Sequence, residues 1–361
     1  MIKHKRVTRF LFIGILLLLI SCNSSDDYTA VPQTPVVVDL TQVPYPKLSD
    51  YKFFEGELNN LTPSHGVIPY KPITELFSDY AEKKRFIWMP NGQKATYNGD
   101  SSILNLPVGA ALIKVFYYNN VQPNNVTRII ETRVMIRKAT GWIFAEYIWN
   151  AEQTEAFIET AGTSREISWR DTNNVIQTVD YKTPIVATEC FRCHGNIFTQ
   201  SQNPIGIKPQ NLNSNYNYSD GIKNQLTKLV EFGYLQNTLP PTINSVVDYK
   251  DATKSLDLRV RSYFDANCSH CHVDGGEADH YSLRFAFNET TDPEKMGVGL
   301  QGEHPLIGYN GRIVSSGNVS QSILHYRIQT QTNLSYIMPP LGRSIRHSEG
   351  VQLVEDWINS L

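Results

Sequence analysis

The chain reads as a multidomain α+β protein. An N-terminal antiparallel β-sandwich-like domain precedes a mainly α-helical C-terminal domain. Two observations predict this. Leu112 to Tyr118 is a run of apolar and aromatic residues, and from Ile130 to Arg137 one face of a period-two pattern is charged, the mark of a half-buried strand. From Ser255 onward the apolar residues recur at helical spacing instead. With 361 residues, 41% of them hydrophobic, the chain has material for two well-buried cores.

Residues 1–21 stand apart from the folded body. Lys3, Lys5, Arg6 and Arg9 form a basic start, and Phe10 to Ile20 form an apolar run. That run is too short to span a bilayer and suits a secretory signal. Leu19-Ile20-Ser21-Cys22 then closes it. A cysteine here resembles the bacterial lipoprotein cleavage site, in which Cys22 is acylated and becomes the new N-terminus. Residues 22–46 read as a tether. Asn23-Ser24-Ser25-Asp26-Asp27 is polar and acidic, and Tyr28 to Pro46 is rich in Pro, Val and Thr. The expected location is the cell envelope, with a lipid anchor in the outer membrane.

Residues 47–183 are expected to be β-rich. Leu112 to Tyr118 suits a strand. Ile130, Thr132, Val134 and Ile136 alternate with Glu131, Arg133, Met135 and Arg137. Ala139-Thr140-Gly141 turns the chain into a strand from Trp142 to Trp149. Ile167 to Trp169 and Val175 to Val179 flank Asp171-Thr172-Asn173-Asn174, a second hairpin. Residues 184–250 are loop-rich, with a helix expected over Gly221 to Leu235 and a break at Pro240-Pro241. In residues 251–361, Leu256, Val260, Tyr263 and Phe264 predict one helix, and Ile323, Leu324 and Ile328 a second. A third starts near Ser348 and buries Val351, Val354, Trp357, Ile358 and Leu361.

Chemistry is concentrated in two pentapeptides, Cys190-Phe191-Arg192-Cys193-His194 and Cys268-Ser269-His270-Cys271-His272. Each is a Cys-x-x-Cys-His haem-attachment motif. With Cys22 they account for all five cysteines. In such a motif Cys190 and Cys193, or Cys268 and Cys271, form thioethers with the haem vinyl groups. The histidine that follows, His194 or His272, ligates the iron. A Cys₄ zinc site, a thioredoxin-like pair and a disulfide are the competing uses of Cys-x-x-Cys. None of them needs a histidine directly after the second cysteine. Two covalent haems c are therefore the expected cofactors.

Met338 lies in Met338-Pro339-Pro340, ahead of the last helix, and is the expected second axial ligand of the second haem. Helix, haem motif, loop, helix, Met-Pro loop and final helix follow one another as in a small mono-haem cytochrome c domain. The first motif has no Met or His between His194 and Thr253. His65, Met89 and Met135 are the candidates for its distal ligand. Met135 stands out because it sits on the charged face of its strand. His270 is expected to be exposed. His280, His304, His325 and His347 show no context beyond surface or core.

Four of the 33 basic residues and none of the 35 acidic ones lie in 1–21, leaving 29 against 35, a net charge of −6. No basic patch suggests nucleic acid. Further stretches bear on relationship: Leu76-Phe77-Ser78-Asp79-Tyr80-Ala81, Glu131-Thr132-Arg133, Tyr147 to Thr154, Pro204 to Asn213, Asn267 to His272 and Met338 to Ser344. Together with the haem motifs, they make the chain resemble a family of two-haem c-type cytochromes from bacterial envelopes. That family has a β-rich domain fused to a C-terminal cytochrome c-like domain. The resemblance implies electron transfer with redox partner proteins that it does not name. A two-haem peroxidase or oxidoreductase with an open first haem is the alternative. A β domain that binds a carbohydrate or a partner is a third class; it would rest on exposed aromatics, which sequence does not distinguish from core aromatics.

Overall fold

The structure is a computed structural model that describes residues 33–361, except 304, 305, 307 and 334. The expected signal segment, the Cys22 anchor and His304 lie outside the described residues. Pro35–Leu361 forms one compact unit.

Its centre is one antiparallel sheet of eight strands. In chain order these are β3 (Ile68–Tyr70), β4 (Glu82–Trp88), β5 (Ala111–Val121), β6 (Val126–Lys138), β7 (Gly141–Trp149), β8 (Ala156–Glu159), β9 (Ser164–Arg170) and β10 (Ile176–Lys182). They follow a short pair, β1 (Phe54–Glu55) with β2 (Thr62–Pro63). Both predicted hairpins form. Lys138 pairs with Gly141 across the β6–β7 turn. At the β9–β10 turn the Asp171 carboxylate accepts from the amides of Asn173 and Val175, both at 2.9 Å. Asn174 there takes a left-handed backbone.

The expected sandwich does not form. The strands join a single sheet because β5 is long enough to serve two neighbours on one edge. β4 pairs along Ala111 to Tyr117, and β9 picks up Val121 beyond the bulge after Phe116. One face buries Ile113, Val115, Val134, Ile136, Tyr147 and Trp149 against the segment that leads into β1. The other face carries the charged residues of β6, and it is covered as well. Glu131 and Glu146 are buried there.

The mainly α-helical cytochrome c-like domain expected over 251–361 is not what this region forms. Three helices lie in it: α4 (Leu256–Asn267), α5 (Ile323–Gln329) and α6 (Ser348–Ser360). They follow α1 (Val186–His194), α2 (Pro209–Leu212) and α3 (Gln225–Glu231). Between α4 and α5 the chain is loops and two short 3₁₀ turns. The reason is local. Val273 to Asn318 holds eight glycines and two prolines, too many for helices to propagate. The helix expected over 221–235 is also shorter. Gly221–Asn224 is strand β12, paired with β11 (Asn215–Tyr218), and the Asn224 side chain then caps α3. Leu361 is exposed rather than buried, while Leu353, Val354, Trp357 and Ile358 pack against Val260 and Phe264. No helix among the described residues is long and apolar enough to cross a membrane.

Candidate haem-attachment sites

Helix α1 presents the first motif. Gly195 ends it, at a position where a Cβ would collide with the Phe191 carbonyl. The chain then loops back so that the Asn203 amide donates to the His194 carbonyl at 2.8 Å. In return, the Asn203 carbonyl lies 2.8 Å from His194 Nδ1. A carbonyl only accepts, so Nδ1 carries the proton and Nε2 keeps its lone pair. Burial pushes the imidazole down to about 4, so the neutral form prevails. Phe144 of β7 lies against the ring, centroids 4.6 Å apart.

Cys190, Cys193 and His194 line a cavity of about 1280 Å³ between α1, the charged face of the sheet and the 337–344 loop. Met135 lines it too. Met89 is buried in a different cluster, and His65 packs on Phe232. Of the three distal candidates, Met135 alone shares a cavity with His194. Burial raises the Cys190 thiol to about 11.

The second motif caps α4. Cys268 ends the helix, and its carbonyl accepts from the amides of Cys271 and His272 in a tight turn, at 3.2 and 3.1 Å. Asn267 anchors the turn: its Oδ1 accepts from the Phe77 amide at 2.8 Å. Cys268, Cys271, His272 and Met338 all line one apolar cavity of about 130 Å³, walled by Phe264 and Phe285. His272 and Met338, predicted as an axial pair, are thus brought together. Met338 is held by its amide, which donates to the Arg327 carbonyl at 2.8 Å. Burial lowers His272 to about 4, and its Nδ1 is buried without a partner. Burial also drives Cys268 up to about 12.

The two motifs meet. Donor atoms of Cys193, His270 and Cys271 all lie within 4.8 Å of one another. The Arg192 guanidinium pairs with Glu277 at 2.8 Å, and the Ile197 amide donates to the Gly275 carbonyl at 2.7 Å. The Cys271 thiol donates to the Arg192 carbonyl at 3.7 Å, and the closeness of the two sulfurs lowers Cys193 to about 4 and raises Cys271. His270, expected to be exposed, is half-buried, and its Nδ1 is enclosed without a partner. It is turned away from solvent because the first motif packs over the second. Cys190 and Cys268 stand outside this cluster, so the four cysteines do not assemble a Cys₄ centre.

Three further histidines have structural settings. His347 stacks on Phe77 at 4.3 Å, with the Tyr263 and Tyr249 hydroxyls 3.1 and 3.2 Å from its ring nitrogens. His325 lies 3.5 Å from the Glu355 carboxylate, and His280 packs on Tyr281. Sequence reasoning missed Lys114, Glu146 and Arg343, whose side chains face the cavities. Arg343 lines both, and its Nε and Nη1 are buried without partners. No short-range signal marks these residues, because each becomes part of a site only through contacts distant in sequence. Comparisons with protein-family models, with curated proteins and with solved structures find no match.

Proposed function

We propose that the chain is a di-haem c-type electron-transfer protein of the bacterial envelope, tethered to the outer membrane through Cys22. Cys190 and Cys193 would hold one haem and Cys268 and Cys271 the other, with His194 and His272 as iron ligands and Met338 as the second ligand at the latter. Haem so bound supplies one-electron Fe(III)/Fe(II) exchange. The residues fit the group on four counts. His194 is fixed in the tautomer that leaves Nε2 free. His272 and Met338 share one apolar cavity. The Cys268 and Cys271 thiols line that same cavity. The Arg343 guanidinium, also short of partners, lines both cavities, where propionates need cationic donors.

The observation that carries the electron-transfer reading is the contact between motifs. With the Cys193 and Cys271 sulfurs within 4.8 Å, two haems held through these cysteines would be neighbours. Electrons would then cross only a short path of packed protein. A two-haem oxidoreductase is the second reading. It is favoured by the size of the first cavity, about 1280 Å³, against the roughly 300–1,000 Å³ of ordinary ligand pockets.

The test is the haem content and ferric spectrum of a soluble fragment lacking residues 1–22, made in a host with cytochrome c maturation. Two covalent low-spin haems are expected for the carrier. One high-spin haem moves the oxidoreductase reading ahead. No covalent haem, with zinc or a Cys193–Cys271 disulfide instead, overturns the proposal.

A further inference from the structure

The charged face of the sheet carries one row of four ionisable residues across four strands. Arg85 of β4 is paired in register with Lys114 of β5, Lys114 with Arg133 of β6, and Arg133 with Glu146 of β7. All four line the cavity that holds Cys190, Cys193 and His194. Two of them are neutralised. Arg85 meets Glu75 at 2.6 Å, and Arg133 grips Glu131 through two hydrogen bonds of 2.8 and 2.7 Å. Glu131 is further held by the Tyr181 hydroxyl at 2.6 Å.

The other two have no such partner. Glu146 is 2% exposed, and neither of its carboxyl oxygens has a hydrogen-bond partner. Lys114 has no carboxylate within ion-pair distance among the described residues, and its ammonium lies only over the Phe116 ring, at 4.6 Å. Enclosed ionisable groups left unpaired are costly, and a structure keeps them where something else completes them. Strand spacing puts the two backbones about 10 Å apart, two strands from each other. Trp142 and Phe144 line the same cavity and offer it apolar surface.

We propose that this cavity is a binding site for a small organic acid, whose carboxylate meets Lys114 and whose hydroxyl or amine meets Glu146. The inference rests on the di-haem reading, since the first haem would share the cavity with the acid. Carboxylate chemistry has a second source, a propionate of that haem, and the experiment separates the two.

The test titrates the haem-loaded fragment lacking residues 1–22 with 4-hydroxybenzoate, benzoate and benzamide. Binding is read by calorimetry and by the haem absorption. Saturable binding of both acids and not of benzamide is expected. Lys114→Gln should weaken both acids at least tenfold, Lys114→Arg should restore them, and Glu146→Gln should weaken 4-hydroxybenzoate more than benzoate. Absence of saturable binding to protein carrying two haems overturns the site, as does binding that Lys114→Gln leaves unchanged. If Lys114→Gln instead only lowers one midpoint potential, Lys114 serves a haem propionate and the inference fails. If it turns a haem high-spin, Lys114 is an iron ligand and the inference fails again. Loss of covalent haem from the unmutated protein would sink the di-haem reading by itself, and calorimetry with the acids would still decide the site.

Discussion

Replacing Glu146 with Gln should make the protein more stable at neutral and alkaline pH. The side chain is almost fully buried and its carboxyl oxygens lack partners. Burial, reinforced by the negative charge of Glu131, raises its pKa from 4.5 to about 8, with Arg133 opposing. Below 4.5 both the folded and the unfolded chain hold the proton, and nothing is lost. Between 4.5 and about 8 the unfolded chain releases it while the folded chain keeps it. The unfolded state therefore binds fewer protons, and stability falls as pH rises through this window. At about 1.4 kcal/mol per pH unit the full separation bounds the loss near 5 kcal/mol, and relaxation around the carboxylate brings it to about 3–5 kcal/mol. Gln has the shape of the protonated acid and no proton to lose. Urea unfolding of the haem-loaded fragment at pH 5, 6, 7 and 8 measures the difference between the two proteins. It should be small at pH 5 and grow steadily to pH 8. A difference independent of pH, or a variant less stable at pH 8, would refute the reasoning.

Three other outcomes are expected. If the di-haem proposal holds, Met338→Ala should leave the second haem attached through Cys268 and Cys271 but turn its ferric spectrum high-spin and lower its midpoint potential, because the proposed sixth ligand in the cavity is gone. An unchanged spectrum would remove Met338 from the iron. Asp79 accepts from the Ser344 amide at 2.7 and 2.9 Å and from the Ile345 amide at 3.0 Å. Asp79→Ala should cost about 2–4 kcal/mol and speed proteolysis in the 337–345 loop, measured by unfolding and limited digestion. Trp357 is 2% exposed and packs edge-on against Phe264 at the root of the second motif. Trp357→Ala should cost about 3–5 kcal/mol by thermal or urea unfolding, and a loss under 1 kcal/mol would mean that α6 contributes little to this core.

Contiguous patterns were legible in the sequence. The two Cys-x-x-Cys-His pentapeptides are such patterns, since attachment chemistry needs those side chains on one turn and nothing remote. The hairpins at 139–141 and 171–174 were legible for the same reason, as turn residues act on their own backbone. Helices α4 and α6 showed through their apolar spacing. The second axial candidate, Met338, was read from its place in a Met-Pro-Pro loop, and it lines the cavity of His272.

Other features depended on partners far along the chain. A period-two strand declares that its faces differ, but not what covers them. Glu131 and Glu146 look like solvent residues by type and are buried, Glu131 against Arg133 and Tyr181 and Glu146 in the cavity that α1 and the 337–344 loop also line. Whether eight strands make one sheet or two was decided by the reach of β5, which pairs β4 and β9 on one edge. Helical spacing at three places suggested a helical domain, yet the glycine-rich stretch between α4 and α5 folds as loops. The meeting of the two motifs at Cys193, His270 and Cys271 is a contact across about 80 residues. The sequence alone therefore fixes which cysteines and histidines stand side by side in each pentapeptide, because that adjacency is covalent and local. Which of them share a cavity was settled by packing, which joins residues that no local rule connects.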